Sequence, residues 1–190
     1  MGMSEPTAFY TAEMVRDLLE EDRPSPRYET VYGELLVTPA PNGWHQEIAA
    51  RLFVPLREYL AREPGARGHA YISPADVSWG RRDVLVQPDI FVVPRPPSIK
   101  QHPWSAITRL VLAVEIVSPS SRKADYFTKR RLYQAQGTPL YWVIDPARES
   151  VEAWEPESDL PRSVDVELRW HPAGATDAFT LSLGELFRDG

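Results

Sequence analysis

Apolar positions recur along the chain at two periods, one typical of helices and one typical of strands. The helical period predicts helices over residues 11–22, 42–62 and 120–136. Asn42 is a favoured N-cap residue, and Gly137 suits the position just after the last residue of a helix. Pro55 lies inside the second of these segments, where it predicts a kink or a break.

Segments rich in β-branched and aromatic residues predict strands around these helices. Two short strands, 28–32 and 34–38, are expected to form a hairpin that turns near Gly33. Segments 150–154 and 164–170 are expected to form a second hairpin. Other strands are predicted over residues 68–73, 76–79, 83–93, 109–117, 140–144 and 179–187, the last with a helical turn over 183–187. This order predicts an α/β (α+β) fold, a central mixed β-sheet flanked by helices.

The composition narrows the class of protein. The 190 residues are 43% hydrophobic and 25% charged, which is typical of one globular domain. With 21 basic and 27 acidic residues the net charge is −6, which excludes nucleic-acid binding through bulk positive charge but allows a local basic cleft. The absence of cysteine excludes disulfides, zinc-thiolate sites and cysteine nucleophiles. Neither a bilayer-spanning apolar run nor a secretory signal is present, so we expect a cytoplasmic protein without membrane contact.

Two carboxylates interrupt strongly apolar strand segments. Glu115 lies in VLAVEIV, and Asp89 follows a proline in VQPDIFVV. A buried carboxylate without a partner is costly, so each needs an explanation. Glu115 could pair with one of the 18 arginines, lie at the open end of the sheet or bind a metal ion, and Asp89 could belong to a turn between two short strands. If both project toward the same end of adjacent strands, they form an oxygen-rich pocket that suits Mg²⁺ or Mn²⁺.

The predicted helix 120–136 carries a third candidate group. Asp125, Lys129 and Tyr133 follow at i, i+4 and i+8 and share one face. A short loop joins the Glu115 strand to this helix, so its first turns can fold back beside the carboxylates. Lys129, one of only three lysines, could hold a phosphate or orient a water nucleophile. The alternative is an ordinary surface ion pair between Asp125 and Lys129.

Further polar residues surround these candidates. His45 lies in the first turn of the predicted helix 42–62, shortly after the hairpin that carries Glu29 and Glu34, and it could join the site or lie at the surface. Four basic residues give the helix 120–136 a local excess of positive charge that could contact a phosphate backbone. They are Arg122, Lys123, Arg130 and Arg131.

At this point the segments, taken in order, resemble the Uma2 family, formerly the DUF820 domain. The resemblance rests on YETVYGELL, on His45 at a helix start, on QPDIFVV and on LAVEIVSPSSRKADYFTKRRLYQAQGTPLYWVIDP. It covers about residues 13–155, and residues 156–190 add C-terminal strands and a turn. It implies one domain over residues 1–190 with the restriction-endonuclease-like core of the PD-(D/E)XK superfamily, in which carboxylates at one end of the sheet bind a divalent cation.

The same resemblance implies roles for individual residues. Asp89 takes the place of the acid in the PD half-motif and Glu115 that of the first residue in ExK, and both would bind the metal with the backbone carbonyl of Ile116. Val117 stands where the superfamily has lysine, so Lys129 is expected to supply the amine from the following helix. Positions matching Glu29, Glu34 and His45 also occur in the family, without an assigned role.

Three functions remain open from the sequence. The first is a Mg²⁺- or Mn²⁺-dependent nuclease that hydrolyses DNA phosphodiester bonds, for which a homodimer would suit double-strand cleavage. Because Val117 replaces the expected lysine, the second is a catalytically silent nuclease-like module that binds nucleic acid or a partner protein. The third is a small dimeric structural protein in which an arginine neutralises Glu115.

Overall fold

A computed structural model describes residues 8–20 and 26–189. The helices are α1 (Ala12–Glu20), α2 (Gly43–Arg62), α3, in which a π-helical segment (Ala124–Lys129) continues into an α-helical one (Arg130–Ala135), and α4 (Leu183–Leu186). The strands are β1 (Arg27–Val31), β2 (Glu34–Thr38), β3 (Gly68–Ile72), β4 (Val84–Leu85), β5 (Ile90–Pro94), β6 (Leu112–Ile116), β7 (Tyr141–Asp145), β8 (Ser150–Trp154), β9 (Arg162–Val164), β10 (Glu167–Trp170) and β11 (Phe179–Ser182). Residues 21 and 22, the predicted end of the first helix, lie outside the described residues.

Six strands form the central sheet in the order β3-β5-β6-β7-β8-β9. Only β6 and β7 run parallel, and every other neighbouring pair in this sheet is antiparallel. A smaller sheet has the order β2-β1-β4, and β10 pairs with β11. The predicted mixed sheet with flanking helices is therefore confirmed.

Each face of the central sheet packs against a different set of elements. On one face, here the α2 face, Leu52 and Leu56 of α2 meet Val114 and Trp142 of the sheet, with α4 and the β10-β11 hairpin beside them. On the other, here the α3 face, Tyr133 and its neighbours from α3 pack with the small sheet. Alternating side chains of β5, β6 and β7 serve the two faces, as the pleat requires. Within the described residues, no helix is both long enough and apolar enough to cross a membrane.

Local signals in the sequence account for several boundaries. Asn42 caps α2, since its side chain accepts a 2.8 Å hydrogen bond from the His45 amide. Tyr32 and Gly33 both have positive φ, as a two-residue hairpin turn between β1 and β2 requires. Gly137 has φ 65° and ends α3 as predicted. The helix α2 continues through Pro55, so the predicted break does not occur there.

Three strand predictions need correction. The predicted strand 83–93 is two strands, because the chain passes from the small sheet (β4) to the central sheet (β5) at Pro88, which has no amide hydrogen to donate. Segment 76–79 is reduced to a single bridge between Val77 and Val86. The predicted strand 164–170 is also divided, because its first part pairs with β8 as predicted while its second part pairs with β11.

Candidate active site

Asp89 and Glu115 lie side by side at one end of the central sheet. The antiparallel register pairs Ile90 with Val114, and one further step places Asp89 opposite Glu115. Residues directly opposite each other in such a pair project to the same face. Both carboxylates therefore lie on the α3 face, where the loop from β6 leads into α3.

Asp89 is held by three donors. Its Oδ2 accepts a 2.8 Å hydrogen bond from the Ile116 amide and lies 3.1 Å from His45 Nε2, and its Oδ1 lies 3.1 Å from Arg27 Nη1. Burial alone would raise the pKa of Asp89, but the contacts with His45, Arg27 and the Ile116 amide lower it to about 2. The carboxylate is consequently ionised at neutral pH and fixed in orientation.

Glu115 is the single acid of β6 and is buried, with 1% of its surface exposed. Its Oε1 accepts a 2.8 Å hydrogen bond from the Tyr133 hydroxyl and lies 3.2 Å from Lys129 Nζ. Burial raises the pKa of Glu115 well above its usual range, the ammonium opposes this change, and the neighbouring carboxylates reinforce it. The partner is thus a lysine, not the arginine that the structural-protein interpretation required.

Lys129 joins three carboxylates. Its Nζ lies 2.8 Å from Glu29 Oε2, 3.2 Å from Glu115 Oε1 and 3.6 Å from Asp125 Oδ1, and the residue is only 2% exposed. Burial disfavours the ammonium, but the three carboxylates more than offset this and raise the pKa of Lys129 above its usual value. The side chain is therefore a buried, charged donor and not the surface partner of an i,i+4 pair.

Asp125 is the least satisfied member of this group. Both of its carboxylate oxygens are buried, and within the described residues they have only long or weak polar contacts, with Lys129 Nζ at 3.6 Å and with the Ser121 side chain. Burial raises the pKa of Asp125 to about 6 against the opposing charge of Lys129. Its backbone carbonyl is occupied, since it accepts a 2.9 Å hydrogen bond from the Tyr141 hydroxyl.

A π-helical segment brings Asp125 and Lys129 inward together. The segment Ala124–Lys129 replaces the first turns of the α-helix that the spacing predicts. Such i→i+5 segments are rare and occur frequently at functional sites. The i,i+4 relation of Asp125 and Lys129 is preserved, and both side chains are buried on the α3 face.

The small sheet supplies Glu29 but not Glu34. Glu29 Oε1 accepts a 2.7 Å hydrogen bond from the Gln87 amide, while Oε2 meets Lys129. Glu34, at the turn end of the hairpin opposite Val31, is exposed, and the structure does not bring it to the other acids. The hairpin register explains the difference, because Glu29 lies beside the segment that joins β4 to β5, whereas Glu34 directly follows the turn.

These residues form one charged cluster with a surplus of negative charge. Its four carboxylates face two permanent cations, so the formal charge without His45 is −2. Asp89, Glu115 and Asp125 line a cavity of about 490 Å³, which we call the active-site cavity. Buried negative charge of this kind favours a bound cation. The cluster consists of Glu29, Asp89, Glu115, Asp125, Arg27 and Lys129, with His45 beside it.

The donor set fits a small, hard divalent cation. Within residues 8–20 and 26–189, no three His, Asp or Glu side chains are arranged to hold one ion together. Mg²⁺ requires only one or two protein carboxylates because it keeps several waters. Asp89 and Glu115 meet that requirement, and Ile116, whose carbonyl is the third ligand predicted from the sequence, also lines the cavity.

The four basic residues predicted to contact nucleic acid have different surroundings. Arg122 binds Asp145 through both terminal nitrogens, at 2.6 Å and 3.2 Å. Arg130 lies 4.4 Å from the centre of the Trp154 ring. These two guanidinium groups are occupied within the fold, whereas Lys123 and Arg131 are exposed. None of the four lines the active-site cavity, and their contact with a phosphate backbone stays a prediction.

Sequence reasoning missed the part played by Arg27. It contacts Asp89 and also donates a 3.1 Å hydrogen bond to the Gln87 carbonyl. The predicted strand begins at residue 28, one residue after Arg27. Its i, i+2 spacing from Glu29 was the available signal, because alternate residues of a strand share a face.

Known proteins share the fold of this chain or part of its sequence. A crystal structure described as "a putative nuclease belonging to DUF820", from Anabaena variabilis ATCC 29413, is similar with a TM-score of 0.69 and 23% identity over 91% of this chain and 96% of that one. That likeness shows a shared fold. A probable dipeptidyl-aminopeptidase B from Colletotrichum graminicola (strain M1.001 / M2 / FGSC 10212) is 30% identical over 125 residues. The matched segment is 64% of this chain but only 13% of that protein's length.

Similarity at the level of a family extends over most of the sequence. The profile of Uma2, described as "Putative restriction endonuclease", matches residues 12–183. This range contains the charged cluster and all six strands of the central sheet. The chain belongs to the Uma2 family.

Proposed function

We propose that the protein is a divalent-metal-dependent nuclease that hydrolyses phosphodiester bonds in DNA. The observation that carries the proposal is the convergence of Asp89, Glu115 and Lys129 on one face of the sheet, beside a cavity. The family description and the fold shared with a protein described as a nuclease support the same reaction class. Hydrophobic residues could often replace buried charged groups without loss of stability. The presence of so many charged groups here is therefore best explained by a function.

Asp89, Glu115 and the carbonyl of Ile116 would hold Mg²⁺ or Mn²⁺. A bound cation would polarise the scissile phosphate and lower the pKa of a water molecule. Arg27 and the Ile116 amide keep Asp89 ionised and oriented for that task. A hydrogen bond from the Tyr133 hydroxyl restricts the orientation of Glu115.

Lys129 acts as a donor and not as a base. Its raised pKa keeps the ammonium protonated, so it has no lone pair with which to accept a proton from water. Three carboxylates fix its position, and it can donate a hydrogen bond to the attacking water or to a phosphate oxygen that gains charge. Lys129 would thus take the role of the lysine that the superfamily has at the position of Val117. Val117 itself is buried among apolar residues.

Cleavage of plasmid DNA tests the proposal. We expect cleavage with Mg²⁺ or Mn²⁺ and none with EDTA. Asp89→Asn, Glu115→Gln and Lys129→Met should each lower the rate by at least about 100-fold, since each removes a group from the reacting centre. Glu34→Gln, an exposed acid of the same hairpin, is the matched control. Undiminished activity of Glu115→Gln would remove the basis of this mechanism.

The second candidate is a catalytically silent module that binds nucleic acid or a partner protein. Val117 in place of the lysine and the net charge of −6 are the observations that favour it. DNA binding that persists in every variant, without metal-dependent cleavage by the parent protein, would support this candidate. A homodimer is a prediction for either function, and light scattering on the purified chain measures it.

A further inference from the structure

The burial of the charged cluster restricts the substrates that can reach it. Asp89, Glu115 and Lys129 are 4%, 1% and 2% exposed, so a scissile phosphate must enter the active-site cavity to meet them. The cavity volume of about 490 Å³ is that of a pocket for one drug-sized ligand. An unpaired nucleotide fits such a space, but a stack of base pairs does not. Enzymes that act on buried nucleotides meet the same limit and take single strands or extruded bases.

The mouth of the active-site cavity is uncharged. Among the described residues that line it, Arg27 and Lys129 are the permanent cations, and both are engaged with carboxylates. The exposed lining residues are Pro39, Ala40, Asn42, Pro119, Ser120 and Ala147. Duplex DNA is bound chiefly through lysine and arginine contacts to its phosphates, and this mouth offers none. Affinity here must come from contacts with bases and sugars.

A second cavity lies directly beside the active-site cavity. This neighbouring cavity, of about 580 Å³, shares Arg27, Ala40 and Pro41 with the active-site cavity as common walls. It extends along α1 and the segment after β3 as far as Trp104. The two cavities are therefore adjacent, with the cluster lining the first and Trp104 lining the second, and we call the pair the groove.

Each cavity contains a tryptophan held by its neighbours. Trp44 lines the active-site cavity and is half-buried, with the Arg51 guanidinium 5.3 Å from its ring centre. Trp104 lines the neighbouring cavity, is 39% exposed and packs edge-on against Tyr71 at 5.0 Å. The Tyr71 hydroxyl in turn lies 3.2 Å from His102 Nδ1. Fixed, partly exposed rings are the platforms on which unpaired bases stack.

We propose that this groove binds an unpaired DNA strand, with bases stacked on Trp44 and Trp104 and the backbone led past Asp89 and Glu115. The inference rests on the proposed nuclease function only for cleavage of the bound strand, and binding of the strand does not depend on that function. It specifies the preferred substrate as single-stranded DNA, such as an overhang, a flap, a free end or a locally unpaired region of a supercoiled plasmid, over a fully paired duplex.

Fluorescence anisotropy without divalent ions tests binding apart from cleavage. The probe is a labelled oligothymidylate, alone or annealed to oligoadenylate, with EDTA present. We expect the single strand to bind about tenfold or more tightly than the duplex, because only its bases can stack. Trp104→Ala should weaken single-strand binding roughly 5- to 100-fold, the effect of losing one stacked base, and Trp104→Phe should retain most of it.

A matched control separates stacking from general loss of aromatic surface. Phe127→Ala removes a ring that is 56% exposed on α3 and lines neither cavity, so single-strand affinity should not change. Thermal unfolding checks that each variant is folded. Equal affinity for duplex and single strand, or unchanged binding by Trp104→Ala, would overturn the inference.

Cleavage of the same probes with Mn²⁺ distinguishes this inference from the proposed function. Single-strand binding that depends on Trp104, without cleavage, would contradict the nuclease proposal and retain the binding site. Cleavage of duplex and single strand at equal rates, unaffected by Trp104→Ala, would retain the nuclease and reject the groove as its substrate path.

Discussion

The two faces of the central sheet are both buried, but they are stabilised in different ways. The α2 face is a hydrocarbon core in which Leu52, Leu56 and Trp142 need only shape and volume. The α3 face has its own apolar core, yet it also buries the four carboxylates of the cluster, Asp145 and a lysine. Charges without water require partners in fixed positions, and such clusters seldom improve on hydrophobic packing. The comparison indicates that charged groups on the α3 face cost stability that apolar packing on the α2 face does not, as the proposed nuclease function would require.

The largest expected effect comes from removing the cation of the cluster. Lys129→Met leaves Glu29, Glu115 and Asp125 buried without their shared partner, and we expect a loss of about 3–5 kcal/mol in the free energy of unfolding. Urea denaturation at neutral pH measures this. Lys123→Met, on the exposed side of the same helix, should change stability by less than about 0.5 kcal/mol. Equal effects of the two substitutions would show that the cluster does not depend on its ammonium.

The matching change on the α2 face tests the hydrocarbon core. Leu52 is fully buried on α2, so Leu52→Ala should cost about 2–5 kcal/mol through lost apolar contact and the cavity left behind. Unlike changes in the cluster, this loss should be the same across neutral and mildly acidic pH, since no titratable group is involved. Urea denaturation at several pH values measures it. A strongly pH-dependent loss would contradict the separation of the two faces.

Asp125→Asn is expected to stabilise the protein, and only above a certain pH. The pKa of Asp125 is raised from its usual value of 3.8 to about 6 by burial, so the folded state holds a proton more tightly than the unfolded state. Wild-type stability is therefore lost as pH rises from near 3.8 through about 6, and the loss is complete above that pH. The asparagine variant should then be more stable by about 1–3 kcal/mol.

The stability difference between these two proteins should shrink as pH falls. Urea denaturation of wild type and Asp125→Asn in parallel, from about pH 8 down to about pH 4, measures it. A gain that is constant over this range would mean that Asp125 is not the group responsible. Asp17→Asn, which changes an exposed acid of α1, is the matched control.

A bound divalent cation should raise the free energy of unfolding, because it offsets the repulsion among the carboxylates of the α3 face. At ten times its Kd, a single bound ion that avoids the unfolded chain adds about 1.4 kcal/mol. For a chain of this length, this corresponds to a rise of roughly 3–6 °C in Tm. Thermal unfolding with Mn²⁺ and with EDTA measures it, and Glu115→Gln should abolish the difference. A rise that persists in Glu115→Gln would place the ion elsewhere.

Much of the difference between the two faces could be predicted from the sequence, because charged residues within apolar segments are recognisable there. Glu115 and Asp89 stand out because burial of a carboxylate costs free energy. The apolar run around each of them is visible in the sequence alone. Lys129 stands out by its spacing from Asp125. What these signals show is that charge is buried and which helix approaches it. The catalytic roles themselves stay predictions.

Other features depend on contacts between distant segments. Arg27 reaches Asp89 across 62 positions of the chain, and no local pattern encodes that pairing. The division of segment 83–93 between two sheets depends on which partner strand is nearer on each side of Pro88. Arg122 and Arg130 look like a basic surface in sequence, but Asp145 and Trp154 hold them within the fold.

The smallest expected effect distinguishes two acids of one hairpin. Glu34→Gln changes an exposed side chain next to the turn, so we expect stability within about 0.5 kcal/mol of wild type and unchanged cleavage of DNA. Glu29→Gln, at a buried position on the neighbouring strand, weakens the ion pair with Lys129 and should alter both properties. Urea denaturation and plasmid cleavage of the two variants measure the contrast. If Glu34→Gln had the larger effect, the β1-β2 register that places Glu29 in the cluster would be wrong. The acid of this hairpin that joins the cluster would then lie at its turn end.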